Sequence, residues 1–97
     1  MKEDIIKEIV FDSVEEINHM LHHKLNLSMD EILLGPDDKI DSVNLIRLII
    51  IIEQEINTRL NINITLANSK AFSEKESPFR TIGSLINYIS FLITQES

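Results

Sequence analysis

The sequence contains no cysteine, and it has only two glycines and two prolines among its 97 residues. Without cysteine the chain has no disulfide, no thiolate metal ligand and no thiol nucleophile of its own. Scarce glycine and proline, together with abundant isoleucine, leucine, glutamate and lysine, favour helices over a fold with many tight turns. We therefore expect a helical protein, and any thiol that it uses must belong to a cofactor.

Basic residues are also scarce, since nine lysines and arginines stand against 16 acidic residues and give a formal net charge of -7. This charge argues against a nucleic-acid partner, which needs a basic surface, and it suits partners with basic patches. The longest apolar run, residues 48–52, is too short to span a bilayer, and the first residues do not resemble a signal peptide. We expect one domain over residues 1–97, located in the cytoplasm.

Apolar residues recur at helical spacing in three long segments. We expect helices over about 3–23, 42–60 and 82–94, the last capped by Thr81. A short third helix, capped by Thr65, is expected to run through residues 66–68 and to end near Phe72. Ser13 and Glu16 also fit a capping box, so the first segment suits either one helix or a kinked pair. The positions expected to face the core are Ile6, Val10, Val14, Ile17, Leu21, Leu45, Ile49, Ile52, Ile56, Leu60, Ile82, Leu85, Ile86, Ile89, Leu92 and Ile93.

A long connection over about 24–40 separates the first two helices. Its leucines and isoleucines predict that it packs against the helices, with a short helical turn over residues 30–33. Gly35-Pro36-Asp37-Asp38 is a strong turn signal. Further along, residues 61–64 are expected to be extended and residues 73–78 to form a polar loop.

The sequence Asp41-Ser42-Val43 stands at the head of the second predicted helix. Asp41 is a good N-cap, because its carboxylate can accept the backbone N–H groups that the first turn leaves free. The same helix end presents N–H groups and the positive end of the helix dipole, which favour a phosphate on Ser42. The preceding loop leaves the serine accessible to a modifying enzyme, and Asp41 can offer a carboxylate to a metal-dependent transferase.

Residues 34–45, LGPDDKIDSVNL, resemble the attachment segment of acyl carrier proteins, and the order of helices and the start of the last one, TIGSL, are also similar. The resemblance implies an all-α four-helix bundle with a long first connection and a short third helix. It implies that a phosphopantetheinyl transferase attaches 4'-phosphopantetheine from coenzyme A to Ser42, and that acyl groups are carried as thioesters on that arm. The protein is then a monomer and not an enzyme, loaded by a partner ligase or synthase.

The exposed side of the second helix departs from this family pattern. Carriers of fatty acid synthesis show acidic residues there, whereas this stripe contains Val43, Arg47, Ile50 and Gln54. We expect these four residues to dock partner enzymes. The departure predicts a specialised carrier in fatty acid, lipid, polyketide or related biosynthesis.

The isoleucines of the second helix have two interpretations. Most of them are expected to pack in the core. Ile46 and Ile51, together with Ile50, are also candidates for an acyl pocket or a partner surface.

Alternatives to the carrier hypothesis concern the same residues and a histidine cluster. Asp41-Ser42 is also what a helix cap looks like in an unmodified protein-interaction module.

His19 shares a helix face with His22 or His23, as two zinc ligands would, but no third ligand is evident and we expect no metal site. Ser42 has no histidine near it in sequence, and no nucleophile elbow or phosphate-binding glycine loop is present, so we expect no catalytic residue.

Overall fold

The fold is described from a computed structural model, which covers residues 2–21, 23–33, 40–66 and 78–96, without the side chains of residues 2, 3, 42, 95 and 96. Helix α1 spans Lys2–Asn18, α2 spans Ser42–Leu60 and α3 spans Ile82–Glu96. These ranges contain no strand, and a single isolated bridge pairs Ile32 with Thr81. The expectation of a helical fold is thus confirmed for this part of the chain.

Two predicted features lie outside the described residues. They are the turn at Gly35-Pro36-Asp37-Asp38 and, beyond Leu66, the short helix expected to run to about Phe72. The four-helix bundle therefore remains a prediction.

Helix α1 is one continuous helix that ends earlier than expected, at Asn18 instead of His23. The Asn18 side chain pairs with the backbone of Leu25: its Nδ2 donates to the Leu25 carbonyl at 3.0 Å, and its Oδ1 accepts the Leu25 N–H at 2.8 Å. Ser13 does not cap a second helix, because it is buried and donates to the Ile9 carbonyl at 2.7 Å. Neither a kinked pair nor a capping box at Ser13 and Glu16 is present.

Helix α2 has the predicted bounds. It ends at Leu60, and Asn61, with a φ of 53° and a ψ of 49°, follows as a left-handed cap. The segment that follows is attached to the helix, since the Glu53 carboxylate accepts the Leu66 N–H at 2.7 Å. Asn57 adds two bonds to Ile64, with Nδ2 donating to its carbonyl at 3.1 Å and Oδ1 accepting its N–H at 2.9 Å.

The core lies between the three helices, and α1 contacts both of the others. The predicted core positions are buried, except that Leu21, Leu60 and Leu92 are half-buried. Helices α1 and α2 run antiparallel, because Met20 near the end of α1 meets Arg47 while Ile9 lies near Arg59. Other buried apolar residues that were not among the predicted core positions are Ile9, Leu25, Ile40, Leu48, Ile64, Leu66 and Phe79.

The connection after α1 packs onto the start of α3, and the helical turn predicted over residues 30–33 is wrong. The Leu33 N–H donates to the Arg80 carbonyl at 2.7 Å, so the chain runs alongside residues 80–83. Leu33 is buried as expected, whereas Leu27 and Ile32 are exposed.

The first turn of α3 is capped as predicted. The Thr81 hydroxyl accepts the Ser84 N–H at 3.0 Å, and the Ser84 hydroxyl accepts the Thr81 N–H at the same distance. This reciprocal pair is the geometry of a capping box.

Candidate functional site

The head of α2 is built by Asp41, whose backbone is extended (φ -79°, ψ 170°) directly before the helix begins at Ser42. The Asp41 carbonyl accepts the Leu45 N–H at 2.9 Å, which is the first bond of the helix. Its carboxylate accepts the Asn44 N–H at 2.8 Å, which makes Asp41 the N-cap that was predicted. Ser42 therefore occupies the first helical position, between two exposed residues, Asp41 and Val43.

The N-terminus of α2 differs from that of α3 in what covers it. At α3, the N–H groups of Ile82 and Gly83 donate to the carbonyls of Glu31 and Met29, at 3.1 and 2.9 Å, so the preceding connection occupies that helix end. At α2, the Val43 N–H makes no hydrogen bond to any residue within the described ranges. Within the described ranges, the first turn of α2 therefore offers an anion one N–H group, that of Val43, whose counterpart in α3, that of Gly83, is already occupied.

The predicted docking stripe lies on the surface. Val43 is 61% exposed, and Arg47, Ile50 and Gln54 are exposed on the same side of α2. Met20 extends this apolar surface from the end of α1, with its Sδ 3.7 Å from an Arg47 amino nitrogen. Arg47 forms no ion pair with a residue of the described segments, so its charge faces solvent.

Ile46 and Ile51, the predicted pocket residues, lie in different surroundings. Ile46 is exposed, whereas Ile51 is half-buried against the core. A cavity of about 200 Å³ lies nearer the other end of α2 and is not lined by either residue. Its lining residues are Ile9, Asp12, Ser13, Glu16, Glu55 and Arg59.

No family model, curated protein or solved structure matches this chain. None of the described helices is long and apolar enough to cross a membrane.

The two acids of α2 are both engaged within the protein. Glu53 is half-buried and accepts the Leu66 N–H, and Glu55 forms an ion pair with Arg59 at 3.3 Å. Neither acid therefore adds a free negative charge beside the predicted docking stripe. The charged residue of that stripe is Arg47.

The histidine cluster is only partly described. His19 and His23 are exposed beyond the end of α1, and His22 lies outside the described residues. In the segments that the structure covers, no three side chains suited to metal binding come together.

Sequence reasoning missed the residues that hold the site's surroundings in place. The side chains of Asn18, Asn57 and Glu53 each bind backbone seven or more positions further along the chain. It also missed the side chain of Asn44, whose Nδ2 donates to the second Asp41 carboxylate oxygen at 3.3 Å. The available signal was asparagine near a predicted helix end, which is common in caps.

Proposed function

We propose that this chain is an acyl carrier protein that carries acyl intermediates on a 4'-phosphopantetheine arm attached to Ser42. The observation that carries the proposal is that Ser42 is the first residue of a long helix, directly after the capping carboxylate of Asp41. The resemblance of residues 34–45 to carrier attachment segments supports it. The short third helix of a four-helix bundle and a cytoplasmic, monomeric state belong to the same proposal.

The attachment reaction transfers phosphopantetheine from coenzyme A. The Ser42 oxygen loses its proton and forms a bond to the phosphorus that bears pantetheine, while the bond from that phosphorus to 3',5'-ADP breaks. The product is a phosphodiester with one negative charge. At the head of α2 that charge would meet the positive end of the helix dipole and the Val43 N–H, which has no hydrogen-bond partner among the described residues.

In this proposal the protein provides the surface that partners recognise and the arm that carries the acyl group to them, and its partners perform the chemistry. A phosphopantetheinyl transferase adds the arm, and a ligase or synthase then forms a thioester on the arm's terminal thiol. The chain has no cysteine that would compete with that thiol. For the same reason, a free thiol on the chain after it has been separated from coenzyme A reports the arm alone.

The composition of the exposed face of α2 supports a specialised carrier. Partner enzymes of fatty acid synthesis have basic surfaces that bind an acidic face of the carrier. The exposed face of α2 is instead apolar and cationic, and consists of Val43, Arg47, Ile50 and Gln54. We propose this stripe as the docking surface. The acyl chain's location is a separate hypothesis, in which Ile46, Ile50 and Ile51 would show changed chemical shifts when the arm is acylated.

The test of the proposed function is a modification assay. The purified chain is incubated with coenzyme A, Mg²⁺ and a broad-specificity phosphopantetheinyl transferase, and its mass is measured. We expect a gain of one phosphopantetheine group and the appearance of one free thiol. Ser42→Ala should abolish both changes, while Ser28→Ala, which removes an exposed serine elsewhere, should leave them intact.

No mass gain with several different transferases would contradict the carrier proposal. The exposed apolar residues of α2 would then favour the second candidate function, an unmodified helical module that binds another protein. In that case Asp41 and Ser42 would serve only as the cap and first residue of the helix.

A further inference from the structure

Asn44 binds the carboxylate of Asp41 at both oxygens. Its backbone N–H donates to Oδ1 at 2.8 Å, and its side-chain Nδ2 donates to Oδ2 at 3.3 Å. The first bond is the helix cap, and a cap needs only one side-chain oxygen. The second bond therefore has a different consequence, which is to fix the plane of the carboxylate relative to the first turn of α2.

The carboxylate remains available although it is oriented. An ionised carboxylate offers about four lone-pair positions, and the two bonds from Asn44 leave the others unoccupied by any donor of the described residues. Asp41 is exposed and directly precedes Ser42. A metal ion held by an approaching enzyme would thus meet a carboxylate that already has one orientation.

We propose that Asn44 is a positioning residue for the modification of Ser42, acting through Asp41 to present that carboxylate to the metal-dependent transferase. The inference rests on the proposed function and adds to it a residue that determines the efficiency of attachment. Because the cap bond uses the backbone N–H, Asn44→Ala leaves the helix start intact and frees only the orientation of the carboxylate.

A double-mutant cycle tests the inference. The kcat and KM of the transferase are measured for the wild-type chain, Asn44→Ala, Asp41→Asn and the double variant, with coenzyme A and Mg²⁺. Asparagine keeps a good capping residue at position 41 but removes the negative charge. We expect Asn44→Ala to lower kcat/KM about five-fold, which is the size of effect expected for one ordinary net hydrogen bond, and mainly through kcat.

Comparing Asn44→Ala in the wild-type chain and in the Asp41→Asn chain distinguishes an effect through the Asp41 carboxylate from a general loss of stability. In the Asp41→Asn chain, Asn44→Ala should have no further effect, because residues that act together are not additive. Asn44→Ser, which retains a donor, should recover part of the rate. Asn87→Ala, the same change at an exposed site on α3, should leave the rate unchanged.

Two results would overturn the inference. One is wild-type kinetics for Asn44→Ala, and the other is an equal loss in the Asp41→Asn background, which would indicate a role independent of Asp41. A wild-type chain that takes no arm overturns the proposed function itself, whereas normal modification of wild type with either of these results overturns only the role of Asn44.

Discussion

Asn18 and Asn57 perform the same task near the ends of α1 and α2. Each side chain binds both the N–H and the carbonyl of the residue seven positions later, which imitates the pairing of two backbone segments. The residues so bound, Leu25 and Ile64, are both buried. A single asparagine thereby turns the chain back after the helix and directs an apolar side chain into the core.

Replacing Asn57 should show how much its two hydrogen bonds to the Ile64 backbone contribute to the free energy of unfolding. Asn57→Ala removes two hydrogen bonds and leaves the polar backbone groups of Ile64 part-buried without these partners. We expect the free energy of unfolding, measured by urea denaturation, to fall by about 1–3 kcal/mol.

The neighbouring exposed residue provides the control for this prediction. Thr58→Ala should change the free energy of unfolding by no more than about 0.5 kcal/mol, as is usual for surface substitutions. If Asn57→Ala had an equally small effect, the two hydrogen bonds from Asn57 to Ile64 would not stabilise the segment after α2.

At the scale of elements, local signals and distant contacts differ in what they allow a sequence to predict. The bounds of α2 follow from a capping residue, Asp41, and from helical periodicity, and both are local. The end of α1 was wrong because Asn18 binds Leu25, a partner that periodicity does not show. The turn predicted over 30–33 was wrong because that segment pairs with residues about 50 positions away, at the start of α3.

The contact between this connection and α3 predicts an unusual response at Gly83. In an open helix, replacing glycine by alanine stabilises by about 1 kcal/mol. Here a Cβ at position 83 would lie 2.9 Å from the Met29 carbonyl oxygen, which is backbone and cannot rotate away. We expect Gly83→Ala to lower the free energy of unfolding by about 1–3 kcal/mol.

Helix propensity alone predicts that Gly83→Ala raises the free energy of unfolding. The sign of the measured change therefore distinguishes propensity from the contact with Met29. Asn87→Ala on the exposed side of the same helix should be neutral or slightly stabilising by thermal or urea unfolding. An increase in stability for Gly83→Ala would mean that the connection does not pack closely on α3.

At the scale of the whole molecule, the arrangement of helices determines which side chains share a surface. The position of Ser42 at a helix start was predictable from its neighbours in sequence. That Met20 joins the exposed face of α2 was not, because it requires the antiparallel packing of α1 on α2. The result is an apolar patch with one cation, Arg47, on a chain whose formal net charge is -7.

Charge reversal at Arg47 tests whether this local cation or the net charge governs docking. If the chain is the proposed carrier, enzymes of fatty acid synthesis with basic docking surfaces should accept Arg47→Glu better than wild type, with kcat/KM several-fold higher at low salt, because a local repulsion is replaced by an attraction. The gain should diminish as salt rises, since exposed charges are screened over roughly 10 Å at 0.1 M.

Arg59→Glu is the matched control, because it changes the net charge equally at the far end of the same helix, where Arg59 pairs with Glu55. If net charge governed docking, both variants would gain equally, and the stripe beside Ser42 would have no special role. A larger gain for Arg47→Glu, with an unchanged urea midpoint, would instead show that partners meet the protein at this stripe. The cation would then act by excluding generic partners, and the proposed carrier would in this way serve a dedicated enzyme.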